Sequence, residues 1–313
     1  DNRALHRGEQ IPLSKGDVRD ISARRKKRMN YLVAGIITVL CVLAAPLFDG
    51  IMRKWRARIH SRMGPPIYQT YLDILKLFGK EDITRSPLAV LYISCIVSAT
   101  FVLTLRGDLV TFIYLLTASS VCLVLYSLFM GNPFAIAGGG REVMMFVIVE
   151  PVMAAAFLSY AIKSQSFLIS HIIAWSTVYG VNVSSIFAII AMLIAMQAQM
   201  GKLPFDLAEA EQELVGGVLL EASGPTLALF KWGLAIRQFL IAYLIAFVFL
   251  PWPGASGALL FLSTLIKALV ILLCATTVEV LFPRLRIDQA LGFYARVLIA
   301  VSFMAIAFST LGV

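Results

Sequence analysis

Charged residues are scarce in this 313-residue sequence, at 14%, while hydrophobic residues make up 59%. Soluble chains carry about 25% charged and roughly 45–50% apolar residues, so this composition excludes an ordinary soluble enzyme. Histidine and cysteine are also few, three and four in all, and they lie far apart. The sequence therefore predicts no metal site or disulfide framework, and it contains no motif typical of nucleotide or nucleic-acid binding.

Long apolar runs dominate the rest of the chain, and eight of them are long enough to cross a bilayer. They cover residues 31–51, 86–105, 109–130, 143–162, 184–200, 226–250, 257–281 and 289–312. Continuous apolar runs predict helices rather than the alternating strands of a membrane barrel. We therefore predict an all-α polytopic protein of the cell membrane. A basic extension over residues 1–30 precedes a single transmembrane domain over residues 31–313.

The distribution of lysine and arginine predicts the orientation of these spans. Basic residues between the spans concentrate in the odd-numbered gaps, above all in residues 52–85, which places those gaps in the cytoplasm. The basic run at residues 24–28 favours the opposite orientation, unless it binds anionic lipid headgroups.

The first gap joins an arginine-rich stretch to an amphipathic segment. The tripeptide Gly64-Pro65-Pro66 predicts a turn, and apolar residues from Ile67 to Phe78 then recur at helical spacing. Such a helix lies at the membrane surface, where it either anchors the chain or forms a docking platform for a cytoplasmic partner. The excess of positive charge favours docking, with the candidates Arg53, Arg56, Arg58, Arg62, Gly64, Asp73 and Lys76.

The gap between spans five and six, residues 201–225, is called the acidic segment below. It contains five carboxylates, at Asp206, Glu209, Glu211, Glu213 and Glu221. If residues 204–215 form a helix, Asp206, Glu209 and Glu213 share one face. Neighbouring carboxylates and burial both raise a carboxyl pKa, which suits proton transfer near neutral pH. Interspersed leucines predict a segment packed on the membrane domain rather than a solvated loop.

Several charges fall within or beside the spans. Glu150 lies mid-span ahead of Pro151, and a carboxylate at such a depth usually marks an ion pathway. We predict that Glu150, Arg141, Lys231 and Lys267 take part with the acidic segment in proton or ion coupling. Charges near span ends, such as Asp49 and Glu279, fit simple snorkelling equally well.

These residues resemble the membrane anchor subunit shared by respiratory complex I and energy-converting hydrogenases. A first signature matches at Arg56, Arg58, Arg62, Gly64, Pro65, Gln69, Asp73, Lys76, Leu77, Lys80, Glu81 and Asp82. Residues 202–217 are similar to a second signature with the core PFDLxEAExEL, and residues 282–289 resemble a late signature, FPRxRxDQ. The late signature adds Arg284, Arg286 and Asp288 as docking candidates. Gly139, Arg141 and Glu150 also match the family, and the resemblance runs from about residue 31 to the C-terminus.

The resemblance implies a non-catalytic subunit that docks a [NiFe] hydrogenase and couples electron transfer to H⁺ or Na⁺ movement. Lys202, Ala208 and Gln212 are more similar to the formate-, CO- and hydrogenase-four-linked branch, whereas the late signature looks more like complex I. Partner hydrogenase large and small subunits and a ferredoxin-like subunit are expected on the cytoplasmic side. They are expected to hold the [NiFe] centre and the iron–sulfur clusters, and antiporter-like subunits are expected in the membrane.

Two alternatives stay open. One is a quinone-binding subunit of a complex I-like dehydrogenase, although Lys231 stands where many quinone-site relatives have an acid. The other, of a different class, is a stand-alone ion transporter.

Overall fold

The computed structural model describes residues 15–208, 211–250 and 258–311. Its helices are α1 (Lys15–Ile59), α2 (Gln69–Phe78), α3 (Pro87–Thr104), α4 (Leu109–Phe129), α5 (Pro133–Ser164), α6 (Ile169–Tyr179), α7 (Val183–Gln199), α8 (Glu211–Leu214), α9 (Gly224–Leu244), α10 (Ala258–Leu281), α11 (Ile287–Phe293) and α12 (Ile299–Thr310). A π-helical segment, Ile245–Phe249, extends α9, and another, Tyr294–Leu298, joins α11 to α12. Within these ranges, β structure is limited to one isolated bridge between Asp108 and Leu168.

The all-α polytopic fold is confirmed. Among the described residues, seven helices are long and apolar enough to cross a membrane. Helix α7, the predicted fifth span, is apolar but only 17 residues long. The short helix α6 was not predicted from the sequence. Helix α1 begins at Lys15, within the predicted extension, and its apolar part starts at Asn30, close to the predicted start of the first span. Residues 1–14 lie outside the described residues.

The fourth span begins earlier than its predicted start at residue 143. Asn132 caps α5, since its side chain accepts a hydrogen bond from the Phe134 amide at 3.0 Å, and Pro133 occupies the first turn. The following glycines are part of the helix, and Gly138 and Gly139 are packed too closely on neighbouring elements to carry a side chain. A Cβ on Gly138 would lie 2.9 Å from Gly217 Cα. Long-range packing therefore stabilises a helix that composition alone does not predict.

Helix α9 forms the centre of the bundle. In its most apolar stretch 83% of residues are buried, against 22% to 50% in the other six spans. The rings of Tyr92 from α3 and Tyr126 from α4 pack on Phe230, with centroids 5.3 and 4.7 Å away. Most side chains of α9 are therefore enclosed by protein, whereas the outer helices expose apolar faces.

The four loops that follow the odd-numbered spans meet at one end of the bundle. The Ile83 amide donates to Ser223 Oγ at 3.1 Å, and Asn132 Nδ2 donates to Glu221 Oε1 at 2.5 Å. The Leu285 amide donates to the Pro204 carbonyl at 3.1 Å. These are the gaps that we predicted to be cytoplasmic, and they form one continuous surface around the acidic segment.

The acidic segment is not one helix over residues 204–215. Turns occupy residues 200–208, and α8 spans only four residues. Its backbone carbonyls are bound by other elements: Gln197 Nε2 donates to the Leu203 carbonyl at 2.7 Å, and Arg284 Nη2 donates to the Leu207 carbonyl at 3.3 Å. These side-chain hydrogen bonds satisfy carbonyls that backbone amides would satisfy in a helix.

Gly224, at the start of α9, lies where residues 221–226 pack on the loop before α3. Its φ is +49°, and a Cβ there would lie 2.5 Å from the Glu81 carbonyl oxygen. We expect Gly224→Ala to destabilise the protein by about 1–3 kcal/mol through backbone strain and displacement of this loop. Thermal unfolding of the purified protein measures this. Gly35→Ala is the control, because no atom lies within 4 Å of a Cβ at that position. Equal unfolding temperatures for both variants would contradict the argument.

Candidate functional site

A buried arginine in the middle of the bundle organises the first part of the site. Arg237 of α9 is 3% exposed, and its Nη2 donates to Gln199 Oε1 at the end of α7. The Glu142 carboxylate on α5 interacts electrostatically with the same guanidinium. We call these three residues the Arg237 cluster.

A small cavity lies between the members of the Arg237 cluster. Its volume of about 10 Å³ is close to what one water molecule requires. Arg237 Nε has no hydrogen-bond partner among the described residues, so it has an unused donor in this polar setting. The cluster can therefore hold a water between a carboxylate, an amide and a guanidinium.

The acidic segment connects to the cluster through α5. Arg141 Nη1 lies 2.6 Å from Glu213 Oε2 and 3.4 Å from the Leu207 carbonyl oxygen. The hydrogen bond and charge of Arg141 lower the pKa of Glu213, with further help from Arg284 and Arg286. Successive helix residues project about 100° apart, so Arg141 binds the segment while Glu142 interacts with α9. Asp206 of the segment adds negative charge beside Glu142.

Glu150 lies further along the same helix, about 12 Å from Glu142 by the rise of an α-helix. It lines a largely apolar cavity of about 760 Å³ with Thr117 of α4 and Pro151. Arg237 interacts electrostatically with Glu150 as well as with Glu142. The buried guanidinium is thus a shared cationic neighbour of the two α5 carboxylates.

A second charged group ties the acidic segment to α10 and α1. Glu279 accepts a hydrogen bond from Arg56 Nη2, and its Oε2 lies 3.6 Å from Lys202 Nζ. Lys202 is 6% exposed, and this burial lowers the pKa of its ammonium, while the Glu279 carboxylate opposes that effect. Arg56, predicted to dock a partner, is therefore paired within the chain.

The other docking candidates divide into internal and exposed groups. Arg53 bridges Asp49 and Asp73 at 2.9 and 3.1 Å, and Gly64 packs so closely on α1 that a Cβ would lie 2.8 Å from Ala57 Cβ. Arg284 is partly buried on the acidic segment. The exposed candidates at this end of the bundle are Arg58, Arg62, Lys76, Arg286 and Asp288. Their docking role remains a prediction.

Three predicted coupling residues lie away from the Arg237 cluster. Glu221 accepts from Asn132, and Lys231 lines a different cavity with Asp49 and Arg53. Lys267 donates to the carbonyls of Ala246, at 3.3 Å, and Leu250, where the π segment after α9 ends. Glu209 and the side chain of Glu211 lie outside the described residues.

Sequence reasoning missed three contributors to the site. Glu142 lies just before the predicted span 143–162, and Gln199 and Arg237 lie within the predicted spans 184–200 and 226–250, where neither was assigned a role. The Asn132-Pro133 start signal could have extended α5 over Glu142. Among the described residues no group of three or more His, Cys, Asp or Glu side chains could hold a metal.

Comparison with known proteins places this geometry in a family. Residues 31–310 match the sequence model of the NADH dehydrogenase family. The chain is 37% identical to hydrogenase-4 component C of Escherichia coli K12, over 77% of this chain and 84% of that protein. It is 35% identical to formate hydrogenlyase subunit 4 of the same organism, over 83% and 92% of the two chains.

More distant relatives extend the picture. NADH-quinone oxidoreductase subunit 8 of Rhodothermus marinus is 27% identical, over 90% of this chain and 96% of its own length. A chain of the membrane-bound sulfane sulfur reductase, an archaeal respiratory membrane complex, superposes with a TM-score of 0.80 at 28% identity, covering 90% of this chain and 99% of that one. These relatives are subunits of multi-subunit respiratory membrane complexes. The chain is therefore a multi-pass membrane protein of the NADH dehydrogenase family, homologous to the membrane subunits of hydrogenase-4, formate hydrogenlyase and NADH-quinone oxidoreductase.

Proposed function

We propose that this chain is the non-catalytic membrane subunit of a respiratory-type complex that docks a cytoplasmic [NiFe] hydrogenase module. In this role it couples the module's electron transfer to H⁺ or Na⁺ translocation. Greater identity to the hydrogenase-4 and formate hydrogenlyase subunits than to the quinone oxidoreductase subunit supports the hydrogenase branch.

The observation that carries the coupling role is the shared position of Arg237. Its buried charge lies within electrostatic reach of Glu142 and Glu150, and Glu142 is next to the residue that holds the acidic segment. A proton gained or lost at Glu142 changes how strongly Arg237 is compensated, and this alters the field at Glu150. Because the site is enclosed by protein, such a change is poorly screened.

The hydrogenase module would face the end of the bundle that carries the acidic segment and the loops around it. Glu213 and Asp206 are the carboxylates of that segment with described contacts to α5, through Arg141 and beside Glu142. A change of charge on a docked module reaches these two groups first. The segment and the Arg237 cluster together form the two-state element that charge coupling requires.

The partners follow from this arrangement. The hydrogenase large and small subunits and a ferredoxin-like subunit would bind the exposed cations Arg58, Arg62, Lys76 and Arg286. These partners would carry the [NiFe] centre and the iron–sulfur clusters, which supply the electron transfer. Antiporter-like subunits would pack in the membrane against the apolar cavity that Glu150 lines.

The test begins with the intact complex, purified through a tag on this chain and reconstituted in liposomes. We expect nickel and iron in copurifying subunits, and ion uptake during hydrogenase turnover. Glu213→Gln should lower ions moved per turnover about fivefold or more, because the segment loses its charged contact to Arg141. Glu81→Gln, an exposed carboxylate at the same end, is the matched control. Copurifying subunits without nickel, bound quinone with quinone-dependent turnover, or unchanged uptake in Glu213→Gln would count against the proposal.

A further inference from the structure

A cavity of about 450 Å³ lies between α1, α2, α9 and the turn that follows α8. Its polar lining comes from Asp49, Arg53, Thr70, Lys231 and Gln238. Leucines of the acidic segment and of α9, among them Leu219, Leu227 and Leu234, form much of the remainder. One wall is thus charged and another aliphatic, the chemistry of an amphiphile site rather than of a water-filled cleft.

The cations of this Lys231 cavity are unequally compensated. Arg53 is bound by two carboxylates, from Asp49 at 2.9 Å and Asp73 at 3.1 Å. Thr70 Oγ1 also donates to Asp49 Oδ2, at 3.0 Å, so this oxygen is contacted by both Arg53 and Thr70. Lys231 is exposed and has no carboxylate within ion-pair distance among the described residues. The cavity therefore presents one ammonium that forms no ion pair among the described residues, although Asp49 lines the same cavity.

Helix α2, whose amphipathic pattern is typical of a helix at the membrane surface, forms one side of the cavity. Helix α2 buries Thr70 and Ile74 against the bundle and exposes Leu72 and Leu75, as a helix lying in the membrane surface does. The rise of an α-helix places Lys231 about 10 Å beyond the start of α9. Near a membrane surface, an ammonium is stabilised by the anionic lipid headgroups of the bilayer.

We propose that the Lys231 cavity binds an anionic phospholipid, with its phosphate at the Lys231 ammonium and its acyl chains along the leucine wall. A neutral quinone headgroup fits the cavity less well, because it forms no ion pair with the Lys231 ammonium. A bound lipid would join α2 to α9 and hold the turn after α8, which places it beside the docking surface. This inference is independent of the proposed coupling role.

The test uses the complete complex, washed in detergent and then analysed by native mass spectrometry and lipid extraction. We expect phosphatidylglycerol to be retained by the natural protein and by Lys231→Arg, but about fivefold less by Lys231→Gln. Lys80→Gln, which removes an exposed lysine at the same end but outside this cavity, should retain it. In nanodiscs, phosphatidylglycerol should raise the unfolding temperature relative to phosphatidylcholine in the natural protein and not in Lys231→Gln.

Equal retention of phosphatidylglycerol by Lys231→Gln and the natural protein would overturn the inference, as would equal stabilisation by the two lipids. Recovery of a quinone in place of phospholipid would also overturn it, and would assign the cavity to the quinone-binding alternative. If Lys231→Gln does not assemble, the comparison of Lys231→Arg with the two nanodisc lipids still decides the question.

Discussion

Replacing Arg237 with glutamine is expected to abolish most ion translocation while leaving electron transfer in the docked module largely intact. The change removes the buried charge that Glu142 and Glu150 share, so protonation at one carboxylate no longer alters the other. We expect ions moved per turnover to fall about tenfold or more, within the range of allosteric coupling energies. The measurement is ion uptake by proteoliposomes, divided by hydrogen turnover in the same preparation.

Two companion variants separate coupling from folding. Arg237→Gln alone leaves the Glu142 carboxylate without its cation, which also weakens assembly. The double variant Glu142→Gln, Arg237→Gln removes both charges and should restore assembly without restoring uptake. Arg106→Gln is the control, because that guanidinium lies over the Phe247 ring, 5.5 Å from its centroid, outside the cluster. Full uptake in the double variant would show that the arginine is only structural.

Replacing Glu279 with glutamine is expected to cause the largest loss of stability. Glu279 is 11% exposed and lies between Arg56 and the buried Lys202. Removing one partner of a buried ion pair typically costs about 3–5 kcal/mol, because the remaining charge stays desolvated. The unfolding temperature and the yield of the purified complex should both fall.

The matched variants again test the cause. Glu279→Gln combined with Lys202→Met removes the buried ammonium too, and should recover much of the lost stability. Asp73→Asn removes a partner from the more exposed Arg53 pair, and should cost no more than about 1 kcal/mol. If Glu279→Gln and Asp73→Asn unfold at the same temperature, burial does not make the Glu279 group important.

Most of the membrane architecture was predictable because the bilayer selects long apolar runs. Helices α3, α4 and α10 begin and end close to the predicted span limits. The start of α5 was not predictable from composition, since a stretch of three glycines, an arginine and a glutamate is typical of a loop. That helix depends on Gly138 meeting Gly217, which lies far away in sequence. The acidic segment shows the opposite difference, since its sequence pattern predicts a helix that the structure lacks. Hydrogen bonds from Gln197 of α7 and from Arg284 hold its backbone in another conformation.

The sequence indicated that charged residues in and beside the spans form the candidate site, but it did not indicate which of them contact each other. Charge within and beside the fourth span drew attention to Glu150 and Arg141, and the structure places Arg141 in contact with Glu213 of the acidic segment. Gln199 could not be identified as a site residue from the sequence, because a single amide side chain in an apolar helix does not indicate one particular partner. Pairing Arg237 with Glu142 requires the packing of α9 against α5, and no local pattern specifies it. Lys267 was predicted to take part in coupling from its charge alone, but in the structure its ammonium donates to backbone carbonyls of and just after the π-helical segment that follows α9.

The central position of α9 has a consequence for biogenesis. This helix follows α5 and α7 in the chain, so Glu142 and Gln199 have already left the ribosome when Arg237 emerges. Glu279 emerges later still, after both Arg56 and Lys202. Arg237 and Glu279 therefore each emerge after their partners, whereas Glu142 is inserted with α5 before the cation that compensates its charge has been synthesised.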